Sequence, residues 1–184
     1  FTREGMKQLI GLNRPAAIEK FPQLFPGCPE SGEACLQRYR AWMDDYIREN
    51  GVPVKPGLRE LLAWLKQAHI LCAVATSTFT NVAIGYLKNA GVLNCFAAIV
   101  GGDQVTKSKP DPEIFQLAMR ALGKQTPETC VVFEDSRNGL LAGANGGFPV
   151  IVVPDLFDPT LELPGLCYAK CARLDEAIDV IQNS

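Results

Sequence analysis

Four short apolar runs, at 70–75, 97–100, 130–134 and 149–153, alternate with stretches of helical periodicity, and this alternation constrains the fold more than any other feature. The helical stretches fall at 57–68, 80–90, 111–122, 136–145 and 174–182. Ile70-Leu71-Cys72-Ala73-Val74-Ala75, Cys130-Val131-Val132-Phe133 and Val150-Ile151-Val152-Val153 are apolar on both alternating faces. A strand of that kind has to be covered by helices on both sides. The expected fold is therefore α/β, a doubly wound parallel sheet. The stretch 154–169, with Pro154, Pro159, Pro164 and Gly165, reads as a long irregular connection.

Residues 1–50 follow a different grammar and need no strand. Thr2 can cap a helix holding Met6, Leu9 and Ile10, and Pro15 can open a second holding Ile18 and Phe21. Ser31 is the expected cap of a third, in which Cys35, Tyr39, Trp42, Met43, Tyr46 and Ile47 recur at three- and four-residue spacing as one apolar stripe. After Gly51-Val52-Pro53 the α/β pattern begins, so two units are expected, 1–50 and 51–184.

Composition removes several function classes. The net charge is -2 and neither unit is basic, which argues against a nucleic-acid partner. The apolar runs are too short to span a bilayer. Seven cysteines, an odd number without a Cys-x-x-Cys pair, fit a reducing, cytoplasmic setting better than a disulfide framework. Cys167 and Cys171, with His69 as the single histidine, are a poor basis for zinc.

In open parallel sheets ligands bind beyond the carboxyl ends of the strands, so the polar residues following each apolar run carry the functional argument. Thr76-Ser77-Thr78 ends the first run; its hydroxyls and the next helix start can make an anion site or serve as plain caps. In Lys107-Ser108-Lys109-Pro110-Asp111-Pro112-Glu113, the residues from Asp111 to Glu113 are explained by helix capping. Lys109 is not: a lysine just before a helix N-terminus opposes the dipole unless it shares an anion with it or stays in solvent. Glu134-Asp135-Ser136 follows the third run; adjacent carboxylates there are costly without a cation, and their oxygens suit Mg2+, although Asp135 or Ser136 could simply cap the next helix.

Taken together, Ala75-Thr76-Ser77, Lys109-Pro110-Asp111-Pro112-Glu113-Ile114-Phe115 and Phe133-Glu134-Asp135-Ser136-Arg137-Asn138-Gly139 resemble the second, third and fourth motifs of the haloacid dehalogenase superfamily, in its beta-phosphoglucomutase-like branch. The resemblance covers about 51–153 well and residues 1–50 in kind. It implies a Rossmann-like core under a helical cap that closes over the site, and a Mg2+-dependent phosphatase acting through an aspartyl-phosphate on small-molecule phosphate esters, chiefly of sugars. It further implies that Thr76, helped by the Ser77 backbone, binds the phosphoryl group, that Lys109 neutralises it, and that Glu134 and Asp135 hold Mg2+.

The family's first motif, an Asp-x-Asp pair supplying the nucleophile and the acid/base, is nowhere in the 184 residues. Because the chain begins with Phe1, and because the family places that strand between those ending at Thr76 and Glu134, the expectation is a longer chain carrying Asp-x-Asp upstream. The two flanking strands should then stand about 9–10 Å apart, unpaired. Gly11-Leu12-Asn13-Arg14 resembles the mutase segment whose arginine binds a distal phosphate, which keeps a sugar-phosphate mutase as the alternative; Phe79 stands where that pattern has lysine and favours the phosphatase. The alternative of another class is a non-catalytic phosphate- or protein-binding module.

Overall fold

The computed structural model describes residues 2–183. Three helices come first: α1 (Arg3–Leu9), α2 (Arg14–Leu24) and α3 (Gly32–Asn50). Each starts on a side-chain cap, with Thr2, Asn13 and Ser31 accepting from the backbone N–H groups of Gly5, Ala16 and Ala34. The rest of the chain alternates as α4 (Leu58–Gln67), β1 (Ala73–Ala75), α5 (Thr80–Asn89), β2 (Ala98–Val100), α6 (Glu113–Ala121), β3 (Val132–Glu134), α7 (Arg137–Asn145), β4 (Val150–Val152), β5 (Ala169–Lys170) and α8 (Ala177–Gln182). Among the described residues no helix is long and apolar enough to cross a membrane.

The strands run parallel throughout, in two ladders rather than one continuous sheet: β1 pairs with β2, and β3, β4 and β5 pair in that order. β1 and β3 form no ladder with each other. Within the second ladder β4 is central, and its alternation explains its composition. Val150 and Val152 pack with Ile114, Phe115 and Met119 of α6 and Leu140 of α7. Ile151 and Val153 pack on the opposite face with Leu61 and Leu65 of α4 and Ala177 of α8. Two helical layers therefore sandwich these strands, as strands apolar on both faces require.

Three expectations change. The first run is strand only from Ala73, and Ile70 and Leu71 are exposed. The irregular connection ends in β5, where Tyr168 N–H donates to Val150 O (2.8 Å) and Cys171 N–H to Val152 O (2.9 Å). Two residues carry no readable period, so this strand is defined by the free edge of β4. The aromatic stripe of α3 is not core either: Tyr39, Trp42 and Tyr46 are exposed and stack in a row, with ring centroids 6.3 and 5.8 Å apart.

The first turn of helix α7 lies close against the end of β3. A Cβ at Gly139 would lie 2.0 Å from Glu134 Cδ, so only glycine allows that carboxylate to sit against the first turn of α7. Removing bulk from β4 tests the core assignment. Ile151→Ala, at a position with no solvent exposure, is expected to cost about 2–5 kcal/mol in urea unfolding, and Leu71→Ala, at an exposed position, to stay within about 0.5 kcal/mol of the parent.

Candidate active site

A cleft of about 900 Å³ lies between the three N-terminal helices and the carboxyl ends of β1, β3 and β4. Arg14, Thr76, Ser77, Lys109, Glu134 and Asp135, from four separate stretches of sequence, all line it. Strand direction accounts for the convergence, because parallel strands place all their carboxyl ends on one edge.

Lys109 is 6% exposed, so the solvated reading of this lysine does not hold. Its ammonium forms an ion pair with Glu134 Oε1, stands 3.5 Å from the Ala75 carbonyl oxygen, and lies 4.6 Å from the centroid of the Phe115 ring. It thereby touches the ends of both β1 and β3. The other Glu134 oxygen accepts from Ser136 Oγ (3.0 Å) and from the Asp135 N–H (3.3 Å). A carboxylate and an ammonium both less than a tenth exposed hold each other in place, since either alone would be an uncompensated buried charge.

Ser136 settles the capping question. Its Oγ accepts from Gly139 N–H (3.0 Å), so the start of α7 is served without Asp135. Asp135 instead presents a partly exposed carboxylate to the cleft, where Lys55 Nζ lies 3.4 Å from its Oδ2. Burial, with the Glu134 charge second, pushes the Asp135 carboxyl above its usual value, and Lys55 partly offsets this. Among the described residues no three His, Cys, Asp or Glu side chains gather as a metal cage. The donors still fit Mg2+, which is commonly held by one or two carboxylates with water and phosphate oxygens completing an octahedron. Asp135 is the open donor, and Glu134 is committed to Lys109 and Ser136.

The hydroxyl turn divides its roles. Thr76 Oγ1 accepts from the Thr78 N–H (3.2 Å), and Ser77 Oγ donates to the Gly11 carbonyl (2.7 Å), tying the α1–α2 turn to the end of β1. The start of α5 is served from a distance: Thr80 N–H donates to Asp103 Oδ1 (2.6 Å), and this bond holds the Asp103 carboxyl below its usual value. Across the cleft, Arg14 is ion-paired with Glu33, which also accepts from Gln37 Nε2 (3.0 Å). Arg14, with Gln37 second, keeps the Glu33 carboxyl below its usual value. Phe79 lines the same cleft.

Lys55 is a neighbour of the site that sequence reading did not single out. Its partner Asp135 lies 80 positions away, and Lys55 follows no apolar run.

A sequence model of the haloacid dehalogenase-like hydrolases matches residues 2–147, and the chain belongs to that family. It is 42% identical over 103 residues to a phosphorylated carbohydrates phosphatase of Thermotoga maritima, an alignment covering 56% of this chain and 45% of that protein. It is 31% identical over 152 residues to hexitol phosphatase B of Escherichia coli, covering 83% and 68%. The chain spans about half the length, or less, of the first curated relatives it matches. Among solved structures it is similar to CbbY from Rhodobacter sphaeroides in complex with phosphate, with a TM-score of 0.77 and 26% identity over 96% of this chain and 80% of that one.

Two outcomes test the site. Lys109→Ala is expected to lower unfolding free energy by about 3–5 kcal/mol by stranding Glu134, and the double variant with Glu134→Gln to recover part of that loss in urea titrations. Asp135→Asn acts in the other sense. A carboxyl whose folded-state value is raised costs stability wherever it is ionised, and the cost disappears as pH falls below the unfolded value near 3.9. Metal-free Asp135→Asn should therefore melt at or above the parent at pH 7 and converge with it near pH 4.

Proposed function

We propose that this chain provides the cap, residues 1–50, and most of the core, residues 51–184, of a Mg2+-dependent phosphatase that hydrolyses small phosphate monoesters, chiefly of sugars, through an aspartyl-phosphate. The observation that carries the reading is one cleft in which a buried ammonium, a hydroxyl turn and an acidic pair meet at the ends of β1 and β3. The printed names of relatives, a phosphatase of phosphorylated carbohydrates and a hexitol phosphatase, support the substrate class.

In this reading Lys109 neutralises charge on the phosphoryl oxygens from a site that burial keeps poor in water, where a fixed positive charge acts most strongly. Thr76 donates its hydroxyl to the same group, and the Ser77 backbone N–H assists. Asp135, beside Glu134, would hold Mg2+, which would supply Lewis-acid chemistry there. The helices α1–α3 form the opposite wall and exclude water from the reacting group. No aspartate of these 184 residues occupies an Asp-x-Asp pair, so the roles assigned are binding and charge neutralisation, and no nucleophile is named.

A second reading, sugar-phosphate mutase, is favoured by Arg14, which lines the same cleft as Lys109 and could take a distal phosphate on leaving Glu33. A panel of sugar phosphates, offered to a form of the protein that carries the Asp-x-Asp strand and followed for free phosphate and for isomerised product, separates the two. Phosphate release in excess of isomerisation supports the phosphatase. Isomerisation of a hexose 1-phosphate outrunning release supports the mutase, and neither product points to a binding module. Thr76→Ala is expected to reduce kcat by about 10²–10³ with the fold unchanged by circular dichroism, the loss typical of one phosphoryl or oxyanion donor.

A further inference from the structure

Lys55 lies in the segment joining α3 to α4, and its Nζ stands 3.4 Å from Asp135 Oδ2 and 3.3 Å from Asp155 Oδ2. Three parts of the chain meet there: the return from the helical wall, the end of β3, and the turn beyond β4. Both distances exceed the 2.7–2.9 Å of a fully formed ammonium–carboxylate hydrogen bond. The ammonium is therefore shared between two carboxylates rather than seated on one. Its four-carbon stem is flexible, so a displacement of about an ångström commits it to either oxygen. Asp155 is the more solvated of the two, its side chain 63% exposed against 38% for Asp135.

The shared oxygen belongs to the carboxylate that the site leaves open to a cation. An ammonium and a divalent cation repel, and both cannot sit on Asp135 Oδ2. We propose that Lys55 is a tethered cation that competes with the metal for Asp135, and that Asp155 is the carboxylate to which its ammonium moves when the metal enters. The proposal rests on the reading of Asp135 as a metal ligand. Lys55 touches no reacting atom and is a positioning residue, which sets how readily the cleft accepts its cation. Because it lies on the connection between the helical wall and the core, a displacement of that segment would alter metal affinity.

The two arms of the device predict opposite effects, which a simple structural tether does not. Lys55→Met removes the competitor and is expected to tighten Mg2+ binding about three- to tenfold, while Asp155→Asn removes the alternative seat and weakens it by a similar factor. Lys55→Arg, which keeps the charge, should stay within about twofold of the parent. The measurement is calorimetric titration of the full chain with MgCl2 at low ionic strength, with urea midpoints confirming that each variant is folded. An Mg2+ affinity unchanged or weakened in Lys55→Met, or unchanged or tightened in Asp155→Asn, overturns the proposal. Mg2+ heats absent from the parent but present in Lys55→Met support it. Heats absent from both overturn the reading of Asp135 as a ligand and this inference with it, a result distinct from the loss of competition alone.

Discussion

The Lys109–Glu134 ion pair is the constraint on which the candidate site depends. Its two side chains are 5% and 8% exposed, and neither charge is tolerable there without the other. Since Lys109 precedes α6 and Glu134 ends β3, the pair fixes the distance between the α6 start and the end of the second ladder, and the contact with Ala75 O extends that control to β1. Ser136 and Gly139 are arranged around the same carboxylate: one donates to it while capping α7, the other leaves the space it occupies. A network that satisfies a buried charge this fully also fixes the position of the lysine.

The helical wall is attached to this centre by hydrogen bonds to backbone groups rather than by a large apolar contact. Ser77 Oγ donates to Gly11 O, the Asn13 N–H donates to Ser108 Oγ at 2.8 Å, and Asn138 Nδ2 donates to Ile10 O at 2.8 Å. All three meet the turn between α1 and α2. Gly11, at φ +85°, with Ser136 Oγ 2.7 Å from where its Cβ would be, is the point of closest approach. Helix α1 adds an ion pair of its own, Lys7 Nζ to Glu162 Oε1 at 2.8 Å, and Tyr39 and Met43 of α3 border the cleft. Burial pushes the Tyr86 phenol, on the core side of the same cleft, above its usual value.

Much of the architecture could be read from the chain because its signals are local. Helix starts at Thr2, Ser31 and Ser136 follow from one side chain reaching an N–H three residues on, and β4 declares itself by apolar residues on both faces. β5 and the exposed face of α3 were not legible in the same way. A two-residue strand has no period, and an aromatic stripe has the same spacing whether it packs on a core or borders a cleft.

For the site, sequence by itself determined which residue types stand at the carboxyl ends of the strands, because strand ends and motif order are written in consecutive residues. Thr76, Lys109, Glu134 and Asp135 all belong to that class, and one cleft holds them. Only the tertiary structure decided how each is employed: that Glu134 is taken by Lys109, that Ser136 relieves Asp135 of capping, and that Lys55 is shared between Asp135 and Asp155. Those assignments depend on burial and on partners up to 100 positions apart in the chain. Charges choose partners by distance and desolvation in space, and neither is encoded by spacing along the chain.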